Sequence, residues 1–219
     1  MENSHIKNIL LLLLATVFIS TSGVLGKYIN MSPEVIIWFR SIFSGAFLFI
    51  YCKSKKVDLQ IKQRKDLFPF VISAFLMAVH WVTYFYALKL SNVALGMLSI
   101  YTFPVIIAFI EPLFIKTKFN PIHIFLGLLV LTGLYILTPE FSLENSDLKG
   151  ILLGVFSAFA YAIRILILKQ HIGAYNGSML MFYQTLIISI LLLPILFFGD
   201  FSNFLNQLPY LILLALITT

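Results

Sequence analysis

The chain has 219 residues, of which 60% are hydrophobic and 11% charged, with a mean hydropathy of +0.99. A soluble domain carries roughly a quarter charged residues, so this composition excludes one and predicts an all-α, polytopic membrane protein. The net charge of +6 is read as topology, since basic residues of membrane chains collect in cytoplasmic loops, and the single cysteine, Cys52, excludes an internal disulfide.

Apolar runs long enough to cross about 30 Å of hydrocarbon fall at 7–28, 33–52, 68–90, 92–115, 121–138, 149–169 and 177–198. The first has a second reading as a cleaved signal peptide, with Lys7 as its basic region and Ser20, Ser22 and Gly23 near a cut site. The apolar character that continues to Tyr28, and the runs that follow, favour a retained span. An eighth run begins near Leu208 and reaches Thr219 after about twelve residues, too few to span, so the chain is expected to stop inside a helix.

Loop charges orient these spans. The loop between spans 2 and 3 carries Lys53, Lys55, Lys56, Lys62, Arg64 and Lys65, and the 4–5 loop carries Lys116 and Lys118. The 5–6 loop holds Glu140, Glu144 and Asp147 against Lys149, and the 7–8 loop holds Asp200. The positive-inside rule then puts the N-terminus in the cytoplasm, with Lys27, Lys89 and Lys149 outside and Lys7 and Lys169 inside.

An internal repeat follows from two alignments. "ILLLLLATVFISTSGVLGKYI" from Ile9 lies opposite "ILLGVFSAFAYAIRILILKQHI" from Ile151, with Lys27 opposite Lys169, and "WFRSIF" from Trp38 lies opposite "MFYQTL" from Met181 within a two-residue slip. Span 1 then corresponds to span 6, and an odd number of spans per copy turns the second copy upside down. The expected organisation is a first five-span repeat over 1–138 and an incomplete second repeat over 149–219. Inverted repeats of this kind surround a central site that alternates between two faces.

Several motifs carry a family likeness: "SGVLGKYI" closing span 1, "PEVIIWFRSIFSG" opening span 2, "HWVTYFYALKLSNVALGMLSIYTFPVI" across spans 3 and 4, and "GLLVLTGLYIL" in span 5. In their order and spacing the chain resembles the drug/metabolite transporter superfamily, and within it the EamA-type permeases. The resemblance implies two inverted five-helix repeats, ten helices in all. The chain is accordingly expected to carry a small organic metabolite across the cell membrane, as an exporter, and an arginine, a histidine and several tyrosines around a central cavity would suit an amino-acid-like or other carboxylate-bearing solute. A multidrug or hydrophobic-cation exporter and a lipid translocator are the alternatives on the same scaffold. Many members carry a glutamate in a "GER"-like turn after span 4; here the turn reads "IKTKF", with Thr117 at about that place, and no role transfers to Glu111 about two helical turns earlier.

Helical spacing sets Ser73, Met77, His80, Tyr84, Ala87 and Ser91 on one face of span 3, and Tyr101, Pro104, Ala108 and Glu111 on one face of span 4. Arg40 lies within span 2 at about 10 Å from its outer end, with Glu34 a poor partner six residues earlier, which leaves freed carbonyls or an anionic group of the substrate in the bundle interior. The candidate substrate-binding residues are therefore Arg40, His80, Tyr84, Tyr101 and Trp38. His80 reads equally as a packed histidine, and Trp38, Trp81 and Tyr86 as interface or helix-contact aromatics. Pro104 sets a kink or exposes a carbonyl.

Gly150, Gly154, Ala158 and Ala162 on span 6, and Ser41 and Gly45 on span 2, form small stripes for close helix packing. Glu111 and Arg164, at similar depth near the inner ends of spans 4 and 6, are expected to pair as an inner latch or a static bridge, or to snorkel. The chain lacks HExxH and GxSxG, has no second membrane carboxylate to partner Glu111, and spaces His5, His80, His123 and His171 unlike metal ligands. It reads as a carrier rather than an enzyme, with the lipid bilayer and a small-molecule solute as partners and no cofactor, metal or nucleic acid.

Overall fold

The computed structural model describes residues 2–115, 119–138, 142, 144–169 and 175–219, with side chains from Ile6 onward. Lys116, Thr117, Lys118, Glu140, His171 and the side chain of His5 lie outside the described residues. The described chain is helical, without strands: α1 Glu2–Tyr28, α2 Pro33–Ser54, α3 Leu67–Leu90, α4 Val93–Ile100, α5 Phe103–Phe114, α6 Ile122–Leu137, α7 Ser146–Lys169, α8 Gly177–Leu191, α9 Ile195–Phe198 and α10 Phe204–Thr218. Five spans, with α4 and α5 counted together, are long and apolar enough to cross a membrane, and α6, α8 and α10 are shorter apolar helices.

Local chemistry explains the helix ends. Pro33 sits in the first turn of α2 behind the extended Ser32, where its missing N–H costs nothing. Asn92 caps α4 by accepting from the Leu95 N–H, and Asn176 caps α8 by accepting from the Ser178 N–H. The fourth and seventh apolar runs are each broken in two, where continuous spans over 92–115 and 177–198 were expected. Pro104 follows the Tyr101–Thr102 break and Pro194 separates α8 from α9. A proline ring collides with the carbonyl four residues earlier and lacks the donor that would continue the ladder. At the first break, the Thr102 hydroxyl donates to the Ser99 carbonyl at 2.7 Å, replacing part of what the ladder loses.

The stripe of small residues on α7 sets the centre of the bundle. A Cβ added at Gly150 would lie 2.7 Å from the Ser91 Cβ, and one at Gly154 would lie 2.5 Å from the Ser99 Cβ. Ala158 and Ala162 are fully buried further along the same stripe. α7 therefore lies directly along α3 and α4, as the stripe predicted. α2 lies along α8, where Gly45 faces Thr185, and α10 packs on both α1 and α2. All six residues assigned to the span 3 face are buried.

The loop after α2 turns through Lys56 at φ 54 and folds back over the start of α8. Tyr183 donates to the Leu59 carbonyl at 2.8 Å, and the buried Tyr175 hydroxyl donates to the Asp66 carboxylate, a bond that raises the phenol above its ordinary pKa. The basic residues of this loop thus share one end of the bundle with the start of α1, called the basic end below.

Candidate functional site

A cavity of about 440 Å³ lies between α1, α2, α3, α4, α5, α7, α8 and α10, within the size range of small-molecule sites. Arg40, His80, Tyr84 and Tyr101 line it, as does Arg164. Trp38 does not. Its indole N–H donates to the Ser189 carbonyl at 3.1 Å and its ring meets Phe39 edge-on, so it joins α2 to α8. Its place as a cavity aromatic is taken by Trp81, which the sequence reading left as a helix-contact residue, and by Tyr161.

Arg40 is 3% exposed. Its guanidinium lies 4.0 Å from the centroid of the Trp81 ring and donates to the Thr218 carbonyl at 2.8 Å. A guanidinium stacks on indole through dispersion and the ring quadrupole while its N–H groups reach acceptors in its own plane, and Nε here donates to the Thr219 hydroxyl at 3.4 Å. Glu34, the one acidic residue near it in sequence, instead accepts from the Tyr86 hydroxyl at 2.8 Å.

His80 bridges α3 to α7. The Ser157 hydroxyl donates to the His80 carbonyl at 2.7 Å and lies 2.9 Å from Nδ1. Because that hydroxyl proton is already committed, Nδ1 is assigned as the donor and Nε2 as the lone-pair nitrogen. The ring stacks on Tyr161 at 4.5 Å, and Tyr84 lies parallel at 6.3 Å. His80 is thus both a packed residue and a wall of the cavity.

The expected Glu111–Arg164 pair does not form in this structure. Glu111 pairs with Lys169 at 2.6 Å, while Arg164 donates to the Gln184 Oε1, also at 2.6 Å. The cause is azimuth rather than depth. Five residues along a helix rotate by about 140°, so Lys169 faces α5 where Arg164 faces the bundle interior. Gln184 in turn donates to the Ser73 hydroxyl, which fixes its carbonyl toward Arg164. The Arg164 Nε is buried and has no hydrogen-bond partner among the described residues.

At the end away from the basic loop, α1 packs against α3 and α4. There Lys27 donates to the Lys89 and Ser91 carbonyls at 3.0 and 2.5 Å, while Lys89 donates to the Lys27 carbonyl at 3.2 Å and to the Ile29 carbonyl. Each ammonium thus caps the last turn of the other helix, where orphan carbonyls and the negative dipole end favour a cation. Gly23 and Gly26 of α1 sit against Met97 and Phe85 just below this reciprocal clasp. Toward the basic end the side chains of α1 from Ile6 to Ile19 are exposed.

The model of the EamA-like transporter family matches residues 6–138. A solved structure titled only as the crystal structure of a protein aligns with 94% of this chain and 73% of its own, at 17% identity and a TM-score of 0.67, a likeness of fold alone. No curated protein matches the chain.

Proposed function

Since the chain belongs to the EamA-like transporter family and is a multi-pass membrane transporter, we propose that it carries a small carboxylate-bearing metabolite, outward across the cell membrane, by alternating access. The observation that carries the substrate reading is the pair of guanidiniums, Arg40 and Arg164, lining one cavity with neither paired to a carboxylate among the described residues. A lone cation within a membrane span costs on the order of 3 kcal/mol at the centre, a cost that an anionic solute would offset. The same two charges disfavour a hydrophobic cation. Comparing metabolites in the spent medium of a deletion strain with and without the full-length gene tests the reading. Restored accumulation of an organic acid supports it, and an unchanged profile of acids contradicts it.

We take the architecture to be two inverted repeats, over 1–138 and 149–219. Two observations support this. The pairing of span 3 with span 6 has its counterpart in span 8 with span 1, as exchange of the repeats requires. Arg40 of span 2 bonds Thr218 of span 8, and Gln184 of span 7 bonds Ser73 of span 3, which is the same exchange at the level of side chains.

With the N-terminus cytoplasmic, the lysine clasp is an outer seal and this conformer is closed to the outside. Charged hydrogen bonds contribute about 1.5–3 kcal/mol each, so removing one ammonium shifts the outer equilibrium measurably. Lys27→Met or Lys89→Met should raise labelling of a Ser22→Cys reporter by an external impermeant thiol reagent about tenfold. Unchanged labelling would remove the clasp from the gate. Orientation is checked separately. Cys52 is fully buried, so a membrane-opened sample will label it slowly, and an exposed Lys55→Cys in a Cys52→Ala background is the better reporter. It should react only after the membrane is opened. Labelling from outside in intact cells would invert the topology.

A further inference from the structure

Resting on the carboxylate-carrier reading, we infer that the cavity accepts organic anions that lack an ammonium group and rejects the corresponding zwitterionic amino acids. The reason is what surrounds the two guanidiniums. Arg40 is backed by an indole face, a backbone carbonyl and the Thr219 hydroxyl at 3.4 Å, and Arg164 by a side-chain amide. All four are neutral. The Arg164 Nε is buried and makes no hydrogen bond among the described residues, which leaves a donor for a ligand.

An α-ammonium group would need the opposite. No aspartate or glutamate lines the cavity among the described residues, and the acidic side chains nearest to it along the helices are engaged elsewhere, Glu34 with Tyr86 and Glu111 with Lys169. Carbonyl and hydroxyl oxygens and aromatic faces also hold ammonium groups, as in the lysine clasp, but none of them offsets the repulsion of two guanidiniums in the same space. Here the Thr218 carbonyl already accepts from Arg40, the Trp81 face carries Arg40 at 4.0 Å, and Tyr161 is stacked on His80 at 4.5 Å with the Arg164 guanidinium 5.5 Å from its centroid, while Tyr84 and Tyr101 line the cavity without a counter-charge. An ammonium bound beside a carboxylate in this space would meet two like charges and no counter-charge. At short range in a medium of effective dielectric near 20, that arrangement weakens binding on the order of tenfold or more.

Two pairs of probes sharing a carbon skeleton test this, phenylpyruvate against phenylalanine and succinate against aspartate. Trp38 and Trp81 are the only tryptophans of the 219 residues, so in this chain carrying Trp38→Phe the indole fluorescence reports on the ring that Arg40 covers. The expected result is that, in each pair that binds, the acid without the ammonium half-saturates the fluorescence change at a concentration at least tenfold lower. The same order is expected in competition for counterflow by the unsubstituted chain. Equal or tighter binding of phenylalanine or aspartate overturns the inference and leaves the carboxylate carrier standing. If none of the four alters fluorescence or supports counterflow, the carboxylate reading falls, and this inference with it.

Discussion

Replacing Arg40 by alanine is expected to abolish transport, and replacing it by lysine to leave weakened transport with a half-saturation concentration raised at least tenfold. The alanine variant removes the buried charge that faces the cavity. A charged hydrogen bond to a ligand is worth about 1.5–3 kcal/mol, or roughly 10- to 150-fold in affinity. Lysine keeps the charge but loses the planar fork, which here must stack on Trp81 and reach the Thr218 carbonyl while still presenting a donor to the solute. Because that carbonyl is left without its donor in the alanine variant, Arg40→Gln is the companion, with an amide N–H placed toward the same carbonyl. It should reach the membrane at normal abundance and fail to transport. Normal transport by Arg40→Gln would remove the guanidinium charge from the site.

The second large effect concerns stability. Gly154→Ala puts a Cβ about where the Ser99 Cβ already is, with 2.5 Å between them, and neither partner is the free end of a long side chain. Overpacking of this kind costs about 1–3 kcal/mol, and a larger residue costs more. A lowered melting temperature in detergent is expected for Gly154→Ala, and loss of folded protein for Gly154→Leu. Ser99→Gly opens the space from the other side, so the double variant should be more stable than the sum of the single changes, with a coupling of about 1 kcal/mol or more. Gly133→Ala is the contrast: an added Cβ would have no other helix or side chain within 4 Å among the described residues, and the substitution should be neutral or slightly stabilising. Additive behaviour of Gly154→Ala with Ser99→Gly would refute the close α4–α7 contact.

These two sites differ in how visible they were. The glycine and alanine stripe, and the polar face of α3, could be read directly because helical period converts sequence spacing into shared azimuth on a single helix. Relations between helices could not be read in the same way. Depth along the membrane normal follows from counting residues, which is why Glu111 and Arg164 appeared to be within reach of each other. The rotation of α5 against α7 is set by packing, and it brings Lys169 to Glu111 instead. The same blindness exchanged Trp38 for Trp81: both sit in apolar helices beside a chemistry-bearing residue, and only the pairing of α2 with α8 turns the first away from the cavity. Gln184 had a signal, an amide in an otherwise apolar helix within the stretch aligned with Arg40, but not one that named Ser73 and Arg164 as its partners. The breaks at Tyr101–Thr102 and before Ile195 were marked by Pro104 and Pro194, although hydropathy runs through both without interruption.

The central claim is that this chain moves an organic acid through the cavity that holds Arg40 and Arg164. Counterflow tests it most directly. The full-length protein is reconstituted into liposomes loaded with unlabelled succinate or phenylpyruvate, and entry of the labelled acid is followed with and without Arg40→Ala. The account predicts transient accumulation above that in empty liposomes for at least one acid, lost in the variant. Scrambling of labelled lipid with no solute entry, or accumulation that the variant leaves unchanged, would contradict it.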